Sequence, residues 1–293
     1  MKNVGIIGLG LIGGSMARST QLRTSYAVFG TDINKEVISE SLDDEVLSAE
    51  LDKDNAKYCD ILIVALYPKD VTDCIREYVP YLKKGTIVVD CTGVKGFICK
   101  ELSRELNEKG IFFIGGHPMA GKEVSGYSNS DTSIFTNATM ILCRDEYTDE
   151  EAFRTASEFF KEIGFYDIKE TTFEEHDRVI AYTSQMAHVV SSAYIKSDSL
   201  KDRYGFSAGS FKDMTRVAKL NEYMWTDLFL YNKDALVHEL EAFMIHINEY
   251  LEALKSEDKA GLIKLLGEGR MLKESDEEKE NNARKNNCQN FQE

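Results

Sequence analysis

Through the first 170 residues, short runs rich in β-branched side chains alternate with stretches of helical periodicity. Seven runs read as strands, at 4–7, 27–31, 61–66, 86–91, 111–114, 139–143 and 166–169. The first four are apolar almost without interruption, the pattern of parallel strands covered on both faces. The segments 12–21, 35–41, 69–82 and 97–108 between them are long enough for crossover helices. This alternation predicts an α/β, Rossmann-type doubly wound sheet over residues 1–170.

Beyond Lys169 the strand signals stop. Thr172 followed by Glu175 has the form of a capping box, and no Gly or Pro interrupts a helix from Phe173 to about Lys196. A loop with Gly205 and Gly209 leads to shorter helical stretches at 213–219 and 222–231. From 234 to 255, Leu236, Leu240, Phe243, Ile247, Tyr250 or Leu251, and Leu254 are spaced by fours and threes. That stripe is either the core of a helical domain or a subunit interface. An all-α domain is therefore predicted over 171–272, and the polar stretch 273–293 is expected to be disordered.

Composition narrows the partners. A chain of 293 residues with 43% hydrophobic and 29% charged side chains fits two ordinary globular domains. Its net charge of −15 repels nucleic-acid phosphates and anionic lipid, so neither nucleic acid nor a membrane surface is an expected partner. Six scattered cysteines show no CxxC and no metal-ligand spacing, which points to reduced thiols, no metal and a cytoplasmic protein. The apolar run after Lys2 resembles a signal peptide, but four glycines between Gly5 and Gly13 suit a strand, turn and helix better.

Two constellations carry chemistry. Gly8-Leu9-Gly10-Leu11-Ile12-Gly13 follows a predicted strand and opens a predicted helix, the context in which GxGxxG binds a dinucleotide pyrophosphate. Asp32 ends the next strand, where a carboxylate accepts from ribose hydroxyls and repels a 2′-phosphate, favouring NAD over NADP. The second is the run from Gly115 to Gly126, straight after the fifth predicted strand, with His117 as candidate general base.

The runs GLGLIGGS, HPMAGKEVSG, HDRVIAYTSQMAH and FKDMTRVAK with MWTDLFLYNK together resemble the prephenate dehydrogenase family, including arogenate-using and dual-specificity members. The resemblance spans residues 3 to about 270. It implies NAD-dependent oxidative decarboxylation of prephenate to 4-hydroxyphenylpyruvate and CO2, in tyrosine biosynthesis, by a homodimer assembled through the helical domain. His117 falls on the family's catalytic histidine and Arg216 on its carboxylate-binding arginine. Asp213 and Glu123 match acidic residues around that arginine, Trp225 a neighbouring tryptophan, and His188 a histidine lining the substrate pocket. His176 is expected to be structural.

Two positions depart from the pattern. The family's serine near the ring hydroxyl is replaced by Gly93, leaving Thr92 as the candidate hydroxyl, and Gln185 stands where histidine is common. The alternatives to prephenate dehydrogenase are arogenate dehydrogenase and a non-catalytic NAD-binding regulator, the latter having no need of His117, Arg216 and His188 together.

Overall fold

The computed structural model describes residues 2–122 and 124–289, with backbone alone at 280 and 283–289. The described residues form one eight-stranded sheet. Its strands are β1 (Asn3–Ile7), β2 (Ala27–Thr31), β3 (Ala49–Glu50), β4 (Ile61–Val64), β5 (Ile87–Asp90), β6 (Phe112–Pro118), β7 (Thr139–Cys143) and β8 (Asp167–Thr171). Connecting them are α1 (Leu11–Arg23), α2 (Lys35–Asp43), α3 (Pro68–Tyr78), α4 (Gly96–Glu108) and α5 (Glu150–Glu162). The spatial order is β3-β2-β1-β4-β5-β6-β7-β8, with β7 antiparallel to β6 and every other pairing parallel.

Alternate side chains of the strands enter two cores. Val4, Ile6, Ile61, Ile63, Ile87 and Val89 pack with Met16 and Ala17 of α1, Ile38 of α2 and Phe159 and Phe160 of α5. Ile7, Leu62, Val64 and Val88 face the other way, against Val71 and Ile75 of α3 and Ile98, Leu102 and Leu106 of α4. Burial on both faces explains why these strands read as unbroken apolar runs.

In the sheet domain, the strand β3 and the helix α5 escaped the sequence reading. The two-residue β3 is too short to show alternation, and α5 was not assigned although Asp149 caps it through the Glu151 and Ala152 N–H groups. Parallel pairing of β7 with β8 requires such a crossover.

After β8 come α6 (Phe173–Ile180), a five-residue π-helical turn Ala181–Gln185, α7 (Met186–Tyr194), α8 (Gly209–Thr215), α9 (Glu222–Tyr231), α10 (Lys233–Lys255) and α11 (Lys259–Gln289). The single helix expected from 173 to 196 is thus divided by the π turn, and π turns recur at functional sites. The Thr172 hydroxyl caps α6 as expected, accepting from Glu175 N–H at 3.3 Å. Where the polar composition from 273 onward suggests a frayed helix end and then disorder, α11 runs on as far as Gln289. That stretch lacks Gly and Pro and carries i,i+4 pairs such as Arg270–Glu274 and Lys273–Glu277. Residues 290–293 lie outside the described residues.

By internal packing the chain divides into two compact units, one running to Leu236 and one from Val237 on. The candidate site belongs to the first. In the second, Tyr250 Oη donates to Leu265 O at 3.2 Å, and Ile245, Ile247, Leu254, Ile263 and Leu266 are exposed.

Candidate active site

The sheet order reverses at β1 and β4, and ligands of such sheets bind beyond the strand ends at this point. The glycine-rich turn sits there. Gly8 has φ +88°, and a Cβ on it would stand 2.5 Å from Ala65 O at the end of β4; one on Gly13 would overlap Gly8 O. A Cβ on Gly10 would meet nothing within 4 Å, leaving open space beside the backbone. No side chain caps α1, so Leu11, Ile12 and their neighbours present a helix start whose N–H groups suit an anion. Asp32 holds the turn to β2, Oδ2 accepting from Leu9 N–H at 2.7 Å and Oδ1 from Asn34 N–H at 2.9 Å. The nearby Lys35 ammonium is engaged by Glu50 at 2.6 Å. These residues fit a dinucleotide.

His117 lies within the end of β6, opposite Ile141 of β7, and not in the loop beyond as its sequence context suggested. Its Nδ1 is 2.9 Å from Nε2 of His176, whose Nδ1 is 2.7 Å from Oδ1 of Asp177. Asp177 also accepts from the N–H groups of Lys95 (2.8 Å) and Gly96 (2.7 Å), at the start of α4. Burial, followed by repulsion from His176 and Lys95, holds the His117 imidazole well below the ordinary histidine pKa. Burial lowers that of His176 too, against the opposing pull of Asp177.

Beneath this lies a buried ion pair. The Lys95 ammonium and the Asp90 carboxylate have no solvent exposure and are in direct contact. Lys95 Nζ also donates to Thr92 Oγ1 at 3.0 Å and to Gly116 O at 2.5 Å, so its three donors are met, and the last fixes the peptide before His117. The hydroxyl of Thr92, the candidate for contact with substrate, is engaged within this cluster: its Oγ1 lies 2.6 Å from Asp90 Oδ2 and 2.9 Å from Val94 O. A short hydroxyl side chain two residues after a buried aspartate is within reach of that carboxylate.

At the opposite end, the His188 and Trp225 rings are in contact, centroids 3.8 Å apart and planes tilted by 49°, and His188 Nδ1 is 3.1 Å from Val217 O. Burial, with Arg216 adding repulsion, lowers its pKa. His188, Asp213 and Arg216 line one cavity of about 380 Å³. Helix α9 connects the two ends. Leu228 Cδ2 would lie 3.4 Å from a Cβ on Gly93, and that Cβ 3.8 Å from His117 Nε2, while Trp225 sits three residues earlier on the same helix, about 4.5 Å along its axis. Glu123 lies outside the described residues.

Residues 16–167 match the family described as prephenate dehydrogenase, nucleotide-binding domain, and residues 172–268 the prephenate dehydrogenase dimerization domain. The chain belongs to the prephenate dehydrogenase family. Cyclohexadienyl dehydrogenase of Zymomonas mobilis is 30% identical over 88% of this chain and 90% of its own. The structure of prephenate dehydrogenase from A. aeolicus in complex with hydroxyphenyl propionate and NAD+ superposes with a TM-score of 0.83 at 28% identity, over 92% of this chain and 96% of that one. Synechocystis arogenate dehydrogenase gives 0.79 at 25% identity, over 91% and 96%.

For a member of the prephenate dehydrogenase family, the two departures are accommodated differently. At Gly93 nothing replaces the expected side chain, and a Cβ there would fit in ordinary contact with Leu228 and the His117 ring. Gln185, in the π turn, is buried; its amide donates to Leu228 O at 2.9 Å and accepts from Asn232 Nδ2 at 2.8 Å, which also reaches Asp177 O. Sequence reasoning missed Asp90, Lys95, Asp177 and Asn232. The available signal was an acid ending β5 with a lysine five residues on, among otherwise apolar residues.

Proposed function

We propose that the chain catalyses NAD-dependent oxidative decarboxylation of prephenate to 4-hydroxyphenylpyruvate and CO2. The observation that carries this reading is a largely desolvated His117 imidazole, neutral near pH 7, whose Nε2 edge faces Gly93, where no side chain intervenes. A neutral imidazole of this kind is a base poised for a hydroxyl proton. Gly8, Gly10, Gly13 and the start of α1 would hold the pyrophosphate and Asp32 the ribose. Bound NAD+ supplies the acceptor for the hydride leaving the ring carbon.

His117 Nε2 takes the proton of the ring hydroxyl as that hydride departs. The bond from the ring to its carboxylate breaks, its electron pair completes the aromatic ring, and CO2 leaves. The proton on Nε2 then returns to the ring oxygen, so the overall reaction releases none. Arg216 grips a substrate carboxylate with its planar fork, beside His188 and Asp213.

Arogenate is the second reading, favoured by the likeness to the Synechocystis arogenate dehydrogenase structure. Its ring chemistry is the same and only the side-chain amino group differs. Steady-state NADH formation with each substrate separates the two; no turnover of either rejects the function. We also infer a homodimer, supported by the dimerization-domain match and by the exposed apolar residues of α10 and α11. Light scattering showing a stable monomer at micromolar concentration rejects it. Among the described residues no helix is long and apolar enough to cross a membrane, no metal-binding cluster occurs and the described cysteines are free; a cytoplasmic location is part of this proposal.

A further inference from the structure

We propose that His176 and Asp177 are positioning residues for the base, holding His117 in the single tautomer whose Nε2 carries a lone pair toward Gly93. The proposal rests on the function inferred above.

The proton placement follows from counting donors along the chain of contacts. Asp177 Oδ1 already accepts the Lys95 N–H at 2.8 Å, and Oδ2 the Gly96 N–H at 2.7 Å. A carboxylate used in this way is an acceptor, so the 2.7 Å contact with His176 requires the proton on His176 Nδ1. In a neutral His176 the other nitrogen, Nε2, then has only a lone pair. The 2.9 Å contact between the two rings therefore requires the proton on His117 Nδ1, and in a neutral His117 Nε2 is left bare. Burial, which lowers both imidazole pKa values, supports neutrality. Of the other charged groups, Lys95 disfavours a charge on either ring, and Asp90 opposes it only at His176. The Nε2–Cε1 edge of the His117 ring faces Gly93, 3.8 and 3.9 Å from where a Cβ would stand, with Leu228 Cδ2 at 3.4 Å from the same point.

The geometry around Asp177 is built for this. A Cβ on residue 96 would lie 2.8 Å from Asp177 Oδ2, so glycine at the start of α4 lets the carboxylate sit on both N–H groups. Asn232 Nδ2 holds the Asp177 carbonyl at 2.8 Å, fixing the backbone from the other side. Because the overall reaction returns the proton it borrows, no exit path to solvent is needed. The role left for His176 and Asp177 is to fix the tautomer and to stabilise the transient charge on His117.

The test uses three variants and one readout independent of turnover. His176→Gln keeps an oxygen that accepts the His117 Nδ1 proton, His176→Leu removes it, and Asp177→Asn offers an N–H that reverses the chain. We expect His176→Leu and Asp177→Asn to lose roughly 10²-fold or more in kcat, with KM for prephenate and Kd for NAD+ changed less than about threefold, and His176→Gln to lose less than about tenfold. Equal losses in His176→Gln and His176→Leu, or no loss in either, overturn the proposal. Nitrogen-15 NMR of the wild-type histidines should show His117 protonated on Nδ1 and bare on Nε2, inverted in Asp177→Asn. The opposite tautomer in the wild type, or no change in Asp177→Asn, overturns it even if His176→Leu does not fold. If the wild type turns over neither substrate, the function fails while the NMR result still decides the tautomer.

Discussion

Nδ1 of His117 lies 2.9 Å from Nε2 of His176, with the two ring planes at 65°. One proton occupies that contact. A second proton placed between the rings would set two N–H groups head to head and add positive charge near Lys95. The imidazoles consequently titrate as a coupled pair whose apparent pKa values belong to both. Burial drives each of them in the same direction, downward.

The acid side of the kcat/KM profile for prephenate should therefore fall with an apparent pKa below the ordinary histidine value of about 6.5. His117→Asn should lower kcat roughly 10²- to 10⁴-fold, leave KM for prephenate nearly unchanged and flatten that limb. A wild-type limb at or above pH 6.5, or near-normal turnover in the variant, removes His117 from the role of base.

Arg216 should behave differently. A carboxylate anchor acts in ground state and transition state alike, so Arg216→Ala should raise KM for prephenate strongly with a smaller fall in kcat. KM for NAD should stay close to that of the wild type, since Arg216 lines a cavity with His188 and Asp213 whose lining includes no residue of the glycine-rich turn. Damage falling chiefly on NAD binding contradicts the assignment.

The sequence was legible where one period or one motif decides the structure. The paired strands β1 and β2, and the turn from Gly8 to Gly13 between them, followed from apolar runs and glycine spacing because burial on both faces imposes that pattern. His117 was identified by its motif. The network behind it was not, because Lys95 and Asp177 are 82 positions apart and meet only when α6 is brought against α4. His176 read as structural since a histidine at a helix start carries no sign of its neighbour. The engagement of Thr92 was hidden for a related reason: one residue away from the expected hydroxyl, its side chain turns into the Asp90 cluster. The helix α5 shows an avoidable omission, with Phe153, Ala156 and Phe160 on one face in plain helical spacing.

Stability should fall as pH drops below about 6.5, the unfolded histidine value. His117 and His176 have folded pKa values depressed below it, so the unfolded chain takes up protons first on acidification. The contribution is fully present above pH 6.5 and is lost toward the folded values, at up to about 1.4 kcal/mol per pH unit for each of the two. Urea unfolding at pH 7.5, 6.5 and 5.5 measures this. Stability unchanged between the last two contradicts the buried neutral pair.

The Lys95–Asp90 pair gives a second stability test. Both side chains are wholly buried, so removing one leaves an uncompensated charge in a dry site, which typically costs about 3–5 kcal/mol. Lys95→Met should destabilise by that order or prevent folding, and adding Asp90→Asn should restore part of the loss. Asp90 also accepts from the Gly116 and Thr92 N–H groups, so the recovery should be incomplete. A double variant no more stable than Lys95→Met shows that the charge pairing is not the source of the loss.

Cofactor choice turns on a single carboxylate. A 2′-phosphate at the ribose site would face Asp32, and one unit-charge repulsion at about 4 Å lies between about 1 kcal/mol in water and about 4 kcal/mol near a protein surface. The wild type should thus favour NAD over NADP in kcat/KM. Asp32→Asn is a cleaner test than Asp32→Ala, because its amide oxygen can still accept from Leu9 N–H, the 2.7 Å contact that holds the glycine-rich turn. The variant should shift the NADP-to-NAD ratio in favour of NADP by roughly fivefold to several hundredfold. The nearby ammonium of Lys35 is already paired with Glu50, so charge removal alone should not create a strong NADP site. Equal use of both cofactors by the wild type would show that Asp32 does not set the preference.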